Sequence, residues 1–168
     1  MLERLLDVAV YALMAALVAI GVGKILDQRR DAQTIAWTES VTRAMERLAA
    51  TRTGYATNAA TDMTAELIGS GLLPTAMIDR NSSSAPTLRN AFGGALTVVA
   101  DPGSFVITQD TVPPGSCIAL VGRARDWAQT ICVNGTCVGS ATADTAWASQ
   151  RCDQSSGQKN IVVVTIVP

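Results

Sequence analysis

The chain contains no histidine, which removes the commonest general base and the commonest metal ligand together. Charge of neither sign is in excess: 13 Lys and Arg against 14 Asp and Glu leave a formal net charge of -1. No basic cluster is available to hold phosphates, and aromatics at 4% offer no base-stacking platform. Direct nucleic-acid binding is therefore not expected. The GxSxG, P-loop, GxGxxG, HExxH and EF-hand patterns are all missing. Asp101, Asp110, Asp126, Asp144 and Asp153 are scattered over expected loops and helix ends, where isolated carboxylates are solvated. The sequence predicts no enzyme, no cofactor and no metal site. Proline is also scarce at the start: none precedes Pro74, so nothing there forces a helix to break.

What cysteine there is lies late. Cys117, Cys132, Cys137 and Cys152 fall in the last third, with no CxxC among them. An even number confined to one region reads as two disulfides. Zinc is disfavoured because there is neither a CxxC knuckle nor a histidine partner. Two disulfides place the C-terminal part in an oxidising compartment, a periplasm or the cell exterior.

The leading end carries the long hydrophobic run. Val8–Gly23 has no charged residue; as a helix at ~1.5 Å per residue it rises about 24 Å, short of the ~30 Å hydrocarbon core. Leu5, Leu6, Ile25 and Leu26 supply the missing length, with Asp7 and Lys24 near the interfaces. A cleaved signal peptide has a basic head, whereas this head holds Glu3, Arg4 and Asp7. Read by the positive-inside rule, Lys24, Arg29 and Arg30 would keep the following part cytoplasmic, against the cysteines. The conflict resolves if a basic leader before Met1 set the topology and was removed, so a mature form is expected.

Beyond Lys24 the pattern becomes amphipathic. Trp37, Val41, Ala44, Met45 and Leu48 recur at steps of three and four. Glu39, Arg43, Glu46 and Arg47 lie off that stripe, and Glu39 and Arg43 have the i, i+4 spacing of a helical ion pair. The spacing predicts one helix of about 50 residues ending near Gly54. Gly21 and Gly23 fall where its two halves meet. They read equally as close packing against a neighbour and as a soft point in the helix.

Glu3 and Asp7 share a helix face and repel each other. In water the helix macrodipole compensates them by ~0.3–1 kcal/mol. In lipid or a packed bundle an unpaired carboxylate is costly, so a cation must approach. Arg4 or the α-amine of Met1, contributed by another copy of the chain, would serve as that docking partner.

The remainder reads as α+β. Thr61–Leu73 suggests a short helix capped by Thr61 or Asp62, followed by a loop at Gly69–Gly71. Ala95–Ala100 and Ser104–Gln109 flank Asp101-Pro102-Gly103 and predict an antiparallel hairpin. Pro113-Pro114 opens a helix through CIALVGRARDW. Ala128–Gly139 predicts a second hairpin around Asn134-Gly135, Thr142–Arg151 a short helix, and Lys159–Pro168 a largely buried strand. A type I′ turn at Asn134-Gly135 sets Cys132 opposite Cys137 in a non-hydrogen-bonded pair. Of the three possible connectivities this favours Cys132–Cys137, leaving Cys117 with Cys152.

Taken together, a long half-greasy N-terminal helix with an early acid, a C-terminal disulfide and a terminal strand resembles type IV pilins. In detail it is similar to the type IVb branch, which includes bundle-forming, toxin-coregulated and conjugative thin-pilus pilins. Asn90-Ala91-Phe92-Gly93-Gly94 before ALTVV resembles that branch's NPFGG segment, with Ala91 where proline is usual. TAELIGSGLLP, Thr64–Pro74, resembles the loop segment after the long helix, and Cys117 and Cys152 stand at the positions of the family disulfide. Cys132–Cys137 is not a hallmark of it.

The resemblance implies a long helix packed on an antiparallel sheet with a disulfide-stapled C-terminal region. It implies residues 1–27 as membrane anchor and then filament core, and residues 28–168 as the globular head. The implied function is a major pilin, stored in the inner membrane and polymerised with identical subunits into a cell-surface pilus. Prepilin peptidase and the assembly machinery are the other implied partners, with N-methylation of the mature terminus. The family's docking acid sits at the fifth mature position; here that is Leu5, flanked by Glu3 and Asp7, and Glu3 is the favoured substitute. A minor pilin, a secretion pseudopilin and a single-span anchored periplasmic binding domain are the alternatives. Adhesion, bundling, conjugation and DNA uptake all use such subunits.

Overall fold

The computed structural model describes residues 28–52, 54–58, 60–80, 85–152 and 159–167. The first element is helix α1, described over residues 28–50. Its apolar stripe is buried as the spacing predicts: Trp37, Val41, Ala44 and Met45 belong to the core, and Leu48 packs against it. The stripe also continues backwards through two polar residues, Thr34 and Thr38, both buried. The helix unwinds through Thr51 and Arg52, whose amides reach back only three residues to Leu48 and Ala49. The chain then passes under the turn at Pro102, where the Tyr55 amide donates to the Pro102 carbonyl at 3.3 Å. Tyr55 stacks obliquely on Phe105, ring centroids 4.8 Å apart. Its burial, and then the Glu46 carboxylate, push the phenol pKa above its usual value.

Among the described residues eight strands form one antiparallel sheet. They are β1 (Thr61–Asp62), β2 (Ile78–Asp79), β3 (Thr87–Arg89), β4 (Ala95–Asp101), β5 (Ser104–Val112), β6 (Thr130–Val133), β7 (Thr136–Gly139) and β8 (Asn160–Ile166). Their order is β2-β3-β4-β5-β8-β6-β7, with β1 also pairing with β4. Between them lie α2 (Thr64–Gly69), α3 (Pro114–Ala124) and α4 (Thr145–Arg151). The last strand is central: β8 pairs with β5 on one side and with β6 on the other.

Alternation sets the two faces. Leu96, Val98 and Ala100 of β4, Phe105 and Ile107 of β5, Ile131 and Val133 of β6, and Val162, Val164 and Ile166 of β8 are buried. They form one cluster with the stripe of α1 and with Cys117, Leu120, Val121 and Ala124 of α3. The opposite face is more open: Val99 is 36% and Ile161 47% exposed. This corrects the expectation of a largely buried terminal strand. The helices cover one side of the sheet, so only every second residue of β8 is enclosed.

The local signals explain most elements. Pro113 and Pro114 begin α3 where a missing N–H has no intrahelical partner. The helix stops at Ala124, ahead of the expected Trp127, and the last residues turn. Asp144 caps α4, its carboxylate accepting the Trp147 amide at 2.7 Å; a 3-10 turn, Ser140–Thr142, precedes it, so the helix starts later than expected. At α2 the N-cap is Met63, and Thr61 and Asp62 lie in β1 instead. Asp62 still accepts the Thr64 amide at 2.8 Å, from one position outside the cap.

Candidate assembly surface

Helix α1 is held by two kinds of contact. From Trp37 onward α1 is docked by apolar burial. Nearer its start the fastening is polar. Gln109 Nε2 donates to Thr38 Oγ1 at 2.7 Å, and that hydroxyl donates to the Thr34 carbonyl at 2.8 Å. The Ser116 hydroxyl donates to the Asp31 carboxylate, tying α3 to the same end. Gln109 Oε1 and Thr34 Oγ1 are buried without a hydrogen-bond partner among the described residues. Such atoms penalise any shift that leaves more of them dry, so this seam defines the helix register as well as holding it.

None of these polar residues stood out in the sequence. The signal was present, because Thr34 and Thr38 fall at i and i+4 on the line of Val41 and Met45, and Gln109 takes an inward position in SFVITQ. Polar residues on an apolar stripe announce a partner across it.

Along the rim of α1, Glu39 meets two arginines: Arg43 on the same helix at 3.5 Å and Arg123 of α3 at 3.3 Å. Arg123 also reaches Asp126 at 3.2 Å. The pair anticipated within the helix is therefore part of a network crossing to its neighbour. These groups are substantially exposed and add little stability. Arg52 and Glu66 pair at the far end, Nη1 to Oε2 at 3.0 Å.

The NAFGG stretch builds the corner between β3 and β4. Asn90 is buried at 2% exposure, and its Oδ1 accepts the amides of Phe92 at 3.0 Å and Gly94 at 2.9 Å. Its Nδ2 donates to the Asp110 carbonyl at 2.6 Å, pinning the corner to β5. Gly94 lies so close to that strand that a Cβ there would overlap the Asp110 carboxylate and carbonyl oxygens. Gly94→Ala is expected to cost about 1–3 kcal/mol by overpacking. Gly122→Ala, on the exposed side of α3 with open space around it, should instead gain up to ~1 kcal/mol. Urea midpoints of the two variants check both signs.

The structure joins Cys117 to Cys152 and Cys132 to Cys137, with no free cysteine among the described residues. The first bond links α3 to the end of α4; both sulfur-bearing residues are buried, at 0% and 1% exposure. The second crosses the β6–β7 hairpin, where Cys132 and Cys137 face each other with Cα atoms 3.9 Å apart. Asn134 and Gly135 both have positive φ, 50° and 82°, as a type I′ turn requires.

The expected docking residues Met1, Glu3, Arg4 and Asp7, and the expected soft point at Gly21 and Gly23, lie outside the described residues. Among the described residues no helix is long and apolar enough to cross a membrane. No group of three His, Cys, Asp or Glu side chains that could hold a metal occurs among them either.

A family profile described as PilS N terminal matches residues 27–167. A search of curated sequences returned no match. Solved structures do match. The crystal structure of a type IVb pilin from Salmonella typhi aligns with TM-score 0.65 at 23% identity, over 78% of this chain and 95% of that one. The NMR structure of the Salmonella typhi type IVb pilin PilS aligns with TM-score 0.52 at 23% identity, over 84% and 95%. TcpA, a type IV pilin from the El Tor biotype of Vibrio cholerae, aligns with TM-score 0.50 at 15% identity, over 82% and 98%. This chain belongs to the PilS N-terminal family, and its head, with an antiparallel sheet behind an N-terminal helix and two disulfides, has the type IVb pilin fold.

Proposed function

We propose that this pilin is the major structural subunit of a type IVb-like pilus. Residues 1–27 hold it in the inner membrane before assembly and afterwards form the filament core; residues 28–168 form the head on the outside. The observation that carries this reading is one continuous sequence pattern. An uncharged stretch, Val8–Gly23, runs into a helix whose apolar stripe is buried in a pilin-fold head. Lipid tails are as apolar as leucine, so moving such a helix from bilayer to bundle sacrifices little hydrophobic energy. Head-to-tail contacts that do not close on themselves then generate a fibre.

On this reading Glu3, with Asp7 as its neighbour, receives the Met1 amine or Arg4 of an adjoining copy. Prepilin peptidase and the assembly machinery process and deliver the subunit. The test compares sheared cell-surface material with membrane fractions. Wild-type chain should dominate the sheared fibres; trace amounts there would indicate a minor subunit or pseudopilin, and complete membrane retention an anchored binding domain. The Glu3→Ala, Asp7→Ala double variant should leave no fibres while its disulfide-bonded head accumulates in the membrane. Normal fibres from that variant would refute the docking role.

A further inference from the structure

The two disulfides differ in their surroundings more than in their chemistry. Cys117 and Cys152 are enclosed in the core. Cys137 is exposed on β7, the last strand of the sheet, and Cys132 beside it is half-buried. We propose that the Cys132–Cys137 bond is a thiol-exchange site on the pilin head, open to low-molecular-weight thiols of the glutathione class. This inference does not depend on the filament reading.

The step is a substitution at sulfur. A thiolate attacks Cys137 Sγ and forms a mixed disulfide there, while the bond to Cys132 breaks and Cys132 leaves as a thiolate. Cys137 is the sulfur attacked because it belongs to the exposed edge residue, with no further strand beyond it in the sheet among the described residues. A second thiolate resolves the adduct, so two soluble thiols become one soluble disulfide and the protein cystine becomes two thiols.

The hairpin is built to survive that opening. Asn134 donates its amide to the Ile161 carbonyl at 3.0 Å, and its side chain bonds the Arg151 carbonyl at 3.1 Å, Asn160 Oδ1 at 2.8 Å and the Ile161 amide at 3.0 Å. β6 is paired with β8 from Thr130 to Val133, and the Ser140 amide closes the hairpin base on the Gln129 carbonyl at 3.0 Å. The cross-link spans a sequence separation of only 5 residues, so its loss frees little chain. With the strands held, the two sulfurs stay opposite each other and reclose by exchange with the soluble disulfide, which is reduced back to two thiols, once its excess over reduced thiol is restored.

The experiment uses the full chain in detergent without denaturant, incubated with rising reduced glutathione, quenched in acid and alkylated with iodoacetamide. Peptide mass spectrometry should find Cys132 and Cys137 alkylated at thiol concentrations at least ~10-fold below those that open Cys117–Cys152. The circular dichroism spectrum should remain unchanged. In a Cys132→Ser variant, oxidised glutathione should add one glutathionyl group to Cys137 and release one reduced glutathione. Equal sensitivity of the two bonds, alkylation only when the spectrum collapses, or no adduct on Cys137 in the variant would each overturn the proposal.

Discussion

Val164→Asp should abolish the folded head, whereas Val163→Asp, one residue earlier on the same strand, should leave it intact. Val164 pairs with Ile107 of β5 and with Ile131 of β6, and all three side chains are buried at 1% exposure or less. A carboxylate set among these apolar side chains must either stay charged in an apolar layer or take up a proton. The cost exceeds about 4–5 kcal/mol, a large share of the stability of a domain this size. Val163 points the other way, paired with Thr108 and Cys132 on the open face. Aspartate there loses β propensity and some packing, about 1 kcal/mol. Circular dichroism and the fraction of chains with both disulfides formed separate the two variants. Similar behaviour of both would contradict the face assignment of the central strand.

Removing the buried disulfide should come next in size. The Cys117–Cys152 bond closes a loop with a sequence separation of 35. By the chain-entropy estimate it contributes about 3–4 kcal/mol through the unfolded state. The Cys117→Ala, Cys152→Ala double variant should therefore melt roughly 10–15 °C lower. The corresponding Cys132→Ala, Cys137→Ala variant loses a much shorter loop at a half-exposed site and should lose about 2 kcal/mol or less. The order of the two melting temperatures is the decisive measurement. If the hairpin bond proved the more stabilising, the account of α3 and α4 as a pair clamped by the core bond would be wrong.

Much of this fold could be read in advance because its signals are short-range. The Trp37–Leu48 stripe, Pro113-Pro114, Asp101-Pro102-Gly103 and Asn134-Gly135 each act within a few residues, and each marks the element found there. The pairing of Cys132 with Cys137 follows from the same logic, since a two-residue turn dictates which residues face each other. Less visible were features decided at a distance. Thr61 and Asp62 read as a helix cap, but pairing with Val99 and Ala100 draws them into the sheet. The polar seam of Thr34, Thr38, Asp31, Ser116 and Gln109 joins positions up to 85 apart in the chain, and no local rule brings them together. Ile161 belongs to a β-branched run that predicts a largely buried strand, yet it is exposed. Which of two alternating faces is covered depends on where the helices pack, and that is settled only by the tertiary structure.

The location of β8 bears on how the protein is made. It follows every other described strand in the chain, yet it lies between β5 and β6, so the described strands on its two sides are joined into one ladder only through it. A polypeptide emerging from its beginning must therefore keep both gaps open until these residues arrive. A product cut short before Asn160 would display two unsatisfied strand borders at once, an invitation to proteases and to mispairing. Closure of the sheet therefore waits for β8, and the bare borders of β5 and β6 are covered only once its residues are in place.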